Sequence, residues 1–196
     1  MIAAGIDLSL TATGLAIVDT DDRLVIEVAT VVSKPGPDRM RLTDRAERLD
    51  TITTSIAEFT EDADVAAIEG PAVAARHAGS GHDRSGLWWR VVQTLLDSGI
   101  TVVEIAPTAR AKYATGSGAA GKDKVLLAVE RRWPHAHASN NNEADAVALV
   151  SIAARLAGAP IEDSMPAANL AALTKYQTLN PRNTRHSTPG RTTCNG

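Results

Sequence analysis

Apolar positions at the start of the chain alternate or run together as they do in strands. Residues 2–8 form an apolar run that carries Asp7, residues 15–19 resume as a second strand, and residues 24–32 are β-branched and predict a third, with Asp21-Asp22 as a turn. After a loop at 34–38 with two prolines and a glycine the period changes. Met40, Leu42, Ala46, Leu49, Ile52, Ile56 and Phe59 recur at helical spacing across 39–59. Residues 64–69 are a short strand halted by Gly70-Pro71. The glycine- and histidine-bearing stretch 72–86 predicts a mobile segment, 87–96 a helix closed by Gly99, and 101–105 a buried strand stopped before Pro107.

Further on, 108–112 start a short helix, 115–121 a flexible loop, and 122–133 a helix stopped by Pro134. An N-cap cluster at 139–142 opens a last helix running to about 156. The order is three strands, helix, strand, helix, strand, helices. An antiparallel meander followed by right-handed crossovers gives an α/β fold, a mixed five-stranded sheet flanked by helices. The apolar pattern fades after about Pro166. The expected division is therefore a folded domain over 1–165 and a flexible basic tail over 166–196.

Composition narrows the class. Of 196 residues 44% are hydrophobic, enough for one core, while aromatics make up only 3%, so helices must pack on the sheet through small side chains. The single cysteine, Cys194, can form no internal disulfide, which suits a reducing cytoplasm. No secretory signal or membrane span is evident, and no membrane partner is expected. The net charge of −3 argues weakly against nucleic acid, but its distribution does not. Residues 107–134 hold six basic residues against two acidic, 175–196 hold four against none, and 72–90 hold three against one. Segregation of this kind can leave one basic face on an acidic protein.

Three carboxylates stand where chemistry needs them. Asp7 and Glu69 lie at the ends of apolar strands, where an acid is costly to bury unless paired or bound to a metal. Asp145 lies in what reads as the first turn of an alanine-rich helix, with Asn142 three residues earlier on the same face and Glu143 turned elsewhere. Convergent carboxylates are the donor set for magnesium, and two such ions can serve phosphodiester hydrolysis.

The run Gly5-Ile6-Asp7-Leu8-Ser9-Leu10-Thr11-Ala12-Thr13-Gly14, then Ala67-Ile68-Glu69, then Glu143-Ala144-Asp145-Ala146-Val147-Ala148-Leu149, resembles RuvC-type Holliday junction resolvases of the RNase H-like superfamily. Pro107-Thr108-Ala109-Arg110-Ala111-Lys112 and Thr115–Lys122 look like that family's basic DNA-contacting segment. The alanine-rich sequence and polar tail suit a phage-encoded or actinobacterial-type member.

The resemblance implies a homodimeric endonuclease that makes paired nicks in branched DNA. It uses Mg2+, with Mn2+ as substitute, and two ions per site. It assigns Asp7, Glu69, Asp145 and Lys122 to catalysis. Asp7, Glu69 and Asp145 become metal ligands, with Asn142 or Glu143 as the fourth. Arg76, Arg110, Lys112, Ser117, Lys122 and Lys124 become DNA contacts. Two departures stand out. Asn142 occupies a position where an acid or histidine is usual. Ala72 stands where an aromatic wedge is frequent, which widens the expected substrates to forks, flaps and three-way junctions.

Two other readings compete. One is a non-cleaving junction-binding protein of the same fold. The other is an actin-like or sugar-kinase-type ATP-binding domain, whose phosphate turn the Gly5–Gly14 run also resembles. Of the remaining aromatic and imidazole groups, adjacent Trp88 and Trp89 must point one inward and one outward. His77, His82, His135 and His137 read as ordinary loop residues.

Overall fold

A computed structural model of the chain describes residues 1–23, 25–34, 40–71 and 81–179. Three strands open the fold: β1 (Ile2–Asp7), β2 (Ala12–Asp19) and β3 (Ile26–Val32). They are followed by α1 (Leu42–Phe59), β4 (Val65–Glu69), α2 (Gly81–Asp97) and β5 (Thr101–Ile105). The helices α3 (Pro107–Thr115), α4 (Lys122–Arg132), α5 (Asn141–Leu156) and a short α6 (Ala167–Leu170) complete it. The sheet order is β3-β2-β1-β4-β5. The β3-β2-β1 pairs are antiparallel and the β1-β4-β5 pairs are parallel, as the meander-and-crossover reading expects.

Strand alternation sorts the side chains onto two cores. Ala3, Val65, Ala67 and Ile105 face α3, α4 and α5. Ala4, Ile6, Ala66 and Ile68 face α1 and α2. Because the period is two, Asp7 and Glu69 fall on the α5 side of the sheet.

Helix α5 lies directly on β1 and β2. A β-carbon at Gly5 would overlap the carbonyl oxygen of Ala146 and the amide nitrogen of Val150. One at Gly14 would overlap the carbonyl of Asn142. The helix offers Ala144, Ala146, Ala148, Ala153 and Ala154 to the interior, all fully buried. The scarcity of aromatics is thus the means by which backbone meets backbone.

Several boundaries differ from expectation, each for a tertiary reason. Helix α2 begins at Gly81, not 87: Asp83 in its first turn pairs with Arg45 of α1, and that charge favours a helix start. Strand β2 begins at Ala12 and β3 at Ile26. Helix α3 runs on to Thr115, where Gly116 caps it in a left-handed conformation (φ 84°). Strand β5 is an edge strand rather than a buried one; only Ile105 is fully covered.

Packing continues past the expected domain boundary at 165. Ala172 and Leu173 are buried with the α5-side core, and the Leu179 amide donates to the Leu156 carbonyl at 2.7 Å. Asn169 donates to the Tyr113 carbonyl at 2.7 Å, and the Ala106 amide donates to the Tyr176 hydroxyl at 3.0 Å. Residues 166–179 therefore strap α3 at both ends, and 180–196, the rest of the expected tail, lie outside the described residues. Ala72, Arg76 and His77 also lie outside them, as do the loop prolines at 35 and 37.

The glycine contacts generate a direct test. Gly5→Ala and Gly14→Ala should each cost about 1–3 kcal/mol, the usual scale for forcing atoms into a packed interface. Urea midpoints should fall accordingly. An equal loss at Gly121, where an added β-carbon meets nothing, would refute the close-approach explanation.

Candidate active site

The site forms where β1 and β4 end. Ile6 and Ile68 are the last residues paired in the parallel ladder, so Asp7 and Glu69 leave adjacent strands side by side on the same face. Across from Asp7 in the antiparallel ladder is Gly14, the position over which α5 begins. That contact brings Asp145 over the strand ends. It is the fifth residue of α5, in the second turn rather than the first.

The α5 N-terminus is held independently. Asn140 caps it, its side-chain oxygen accepting from the amides of Asn142 and Glu143 at 3.0 Å. Glu143 Oε2 accepts from the Ser139 amide and hydroxyl, both at 2.8 Å, and Oε1 accepts from the Thr30 hydroxyl of β3 at 2.8 Å. Burial alone would raise the Glu143 carboxyl. The hydrogen bonds from Ser139, Thr30 and Asn140 outweigh it and hold the group below its ordinary value. Both oxygens of Glu143, a candidate fourth ligand, are thus hydrogen-bonded: Oε1 fastens α5 to β3, and Oε2 holds the turn that leads into α5. The amide side chain of Asn142 has no partner among the described residues and is half-buried.

Arg110, expected among the DNA contacts, is buried in this structure, with its Nε donating to Glu69 Oε2 and Nη1 to Asp145 Oδ1. The placement follows from the chain path. Glu69 pairs with Ile105 across β4-β5, α3 starts two residues later, and its fourth residue returns over the end of β4. Arg110 thus proves that Glu69 and Asp145 converge, since one guanidinium reaches both. Asp7 feels the same charges. Burial and the neighbouring Glu69 raise its carboxyl to about 6, against the pull of Arg110 and Lys122. Among the described residues no three Asp, Glu, His or Cys side chains stand ready-made to hold a metal ion. Two of the three candidate carboxylates are turned to the guanidinium. The donor set, all hard carboxylate oxygens, nevertheless fits a cation of the magnesium type.

Lys122, the first residue of α4, is exposed yet close enough for its charge to act on Asp7. Lys112 is half-buried on α3, while Lys124 and Ser117 are exposed on α4 and the preceding turn. The expected flexible loop at 115–121 is a hydrogen-bonded turn: the Ser117 amide donates to the Thr115 hydroxyl at 3.1 Å, and that hydroxyl donates to the Ser117 carbonyl at 3.0 Å. The tryptophans divide as expected, Trp88 inward and Trp89 66% exposed. The inner one carries a role that spacing could not reveal: its Nε1 donates to the Glu69 carbonyl at 3.0 Å, steadying the strand end.

Two solved structures carry the same arrangement of sheet and helices. Thermus thermophilus RuvC superposes with a TM-score of 0.59 at 21% identity, covering 76% of this chain and 91% of that one. T. thermophilus RuvC in complex with Holliday junction substrate gives 0.58 at 22%, covering 76% and 90%. The chain has the RuvC fold. It is the RNase H-like architecture expected from the sequence, and the RuvC likeness spans nearly the full length of those proteins. No protein-family model and no curated protein sequence matches the chain. Among the described residues no helix is long and apolar enough to cross a membrane.

The charge state of Asp7 has a measurable sign. Its carboxyl holds a proton more tightly in the folded chain (about 6) than at its ordinary 3.8. This contribution to stability is full below about pH 4 and is lost as pH rises through about 6. Asp7→Asn removes the charged form, so in metal-free buffer the variant should exceed the wild type by about 3 kcal/mol above pH 6. The difference should vanish below pH 4. Denaturant titrations at pH 4 and 7 measure it, and a variant no more stable at pH 7 would contradict the crowded-carboxylate geometry.

Proposed function

We propose that this chain is a metal-dependent endonuclease that nicks branched DNA, Holliday junctions foremost, with forks, flaps and three-way junctions as further substrates. The reading rests on one observation: Asp7, Glu69 and Asp145, far apart in sequence, gather at one end of a RuvC-fold sheet beside Lys122. Asp7, Glu69 and Asp145 would hold Mg2+, or Mn2+ in its place, and Asn142 supplies a carbonyl oxygen as a fourth ligand. Two ions per site is part of the proposal. A bound divalent cation supplies Lewis-acid polarisation of the phosphate and a more acidic water.

The chain's own groups do the rest. Lys122 places a positive charge beside the carboxylates, where it can offset charge gathering on an attacked phosphodiester. Lys112, Lys124 and Ser117 continue that surface and would bind the backbone without regard to sequence. A four-way junction has two-fold symmetry, and paired nicks call for two sites. We therefore propose a homodimer, in the cytoplasm, with Trp89 and Leu96 as candidates for the shared surface. They are seven residues apart on α2 and both exposed.

A junction-binding protein that does not cut is the second reading, favoured by Asn142 and by the guanidinium on two of the carboxylates. Cleavage of four-way, three-way, flap and linear DNA, with and without Mg2+, separates the two, since a pure binder retards junctions but never nicks them. On the nuclease reading Asp7→Asn, Glu69→Gln and Asp145→Asn each abolish cutting and spare junction binding. Lys122→Ala weakens binding and lowers its salt slope by about one unit. Undiminished cutting by Asp7→Asn would overturn the assignment.

A further inference from the structure

The guanidinium of Arg110 and a divalent cation want the same atoms. Its Nε and Nη1 hydrogens point at Glu69 Oε2 and Asp145 Oδ1, and the side chain is about nine-tenths covered. Three acids crowded at the strand ends would repel one another, and one buried cation offsets much of that cost. The position is fixed by the backbone, not by a roving side chain. Helix α3 is strapped by Tyr176 before its first residue and by Asn169 at Tyr113. It is also tied to α5 through Tyr113, whose hydroxyl lies 3.0 Å from Ser151 Oγ. Only the Arg110 side chain is left to move.

We propose that Arg110 is an exchangeable internal counter-ion, holding Glu69 and Asp145 in the metal-free chain until a divalent cation displaces it. This rests on the metal-site reading above and adds to it a competition that the protein carries within itself. Hydrogen bonds of a guanidinium to carboxylate oxygens run along the lone pairs that metal coordination uses. Loading the site therefore frees the guanidinium, which lies on the same helix as Lys112 and is then available to a DNA phosphate. Metal and DNA binding become mutually reinforcing, as linkage requires when one ligand releases a contact that the other can use.

The test measures Mn2+ binding to the full-length protein without DNA, by calorimetry, for the wild type, Arg110→Gln and Arg110→Lys. Arg110→Gln should bind Mn2+ roughly tenfold more tightly or better, the scale of a lost charge-assisted hydrogen bond. Arg110→Lys, a single point charge without the two-pronged grip, should fall between. Equal or weaker binding by a folded Arg110→Gln would overturn the competition while leaving the metal site standing. Mn2+ binding to none of the three proteins would overturn the metal site, and the competition with it.

Should Arg110→Gln fail to fold, the wild type still decides. The Arg110 side-chain Nε–H signal, followed by NMR during titration with diamagnetic Mg2+, should leave its hydrogen-bonded position as the site fills. A signal unmoved at saturating Mg2+ would make Arg110 a fixed support and overturn the proposal.

Discussion

Helix α5 can carry an acid to the strand ends only because two strand positions have no side chain. At Gly5 and Gly14 the helix backbone occupies the space a β-carbon would need. Gly14 also stands opposite Asp7 in the ladder, so one missing side chain both admits the helix and aligns its start with the first carboxylate. The alanines of α5 are the matching half of this contact. A larger side chain on either surface lifts the helix and moves Asp145 away from Asp7 and Glu69, so packing and site geometry are one constraint.

Around that contact the molecule is braced from three directions. Glu143 and Asn140 fasten the start of α5 to Thr30 of β3. Trp88 of α2 holds the carbonyl of Glu69 from the other face of the sheet. The segment 166–179 holds α3. Behind the site a buried cluster of Tyr113, Ser151, Arg155 and Glu162 ties α3 to α5. Burial and the Glu162 charge keep the Tyr113 phenol protonated, so it stays a hydrogen-bond donor inside the core. The carboxylates thus sit on rigid elements, as a preorganised site requires.

The sheet and two of the acids were legible in the sequence because both depend on a local period. Alternation in β1 and β4 specifies which residues share a face, and Asp7 and Glu69 are simply the next residues in phase. Asp145 was legible as an acid in an alanine-rich helix. The inward turn of Arg110 was not, because the phase of α3 relative to β4 is set by Tyr176 and Asn169, some sixty residues downstream. Nor was the part played by Glu143, whose partner Thr30 is on a distant strand. Gly81 and Gly86 made the start of α2 look like loop, and the Arg45–Asp83 ion pair overrides that local preference. The packing of 166–179 was hidden because it rests on a few hydrogen bonds and small apolar residues rather than on a periodic stripe.

The bond between the Trp88 indole and the Glu69 carbonyl gives the protein an optical handle on its own chemistry. Indole emission responds to nearby charge, and this ring touches the strand end that carries one of the acids. The chain has only two other tryptophans, Trp89 on the surface and Trp133 buried beside Tyr113. With those two replaced by phenylalanine, the remaining light would come from a single emitter next to the carboxylates.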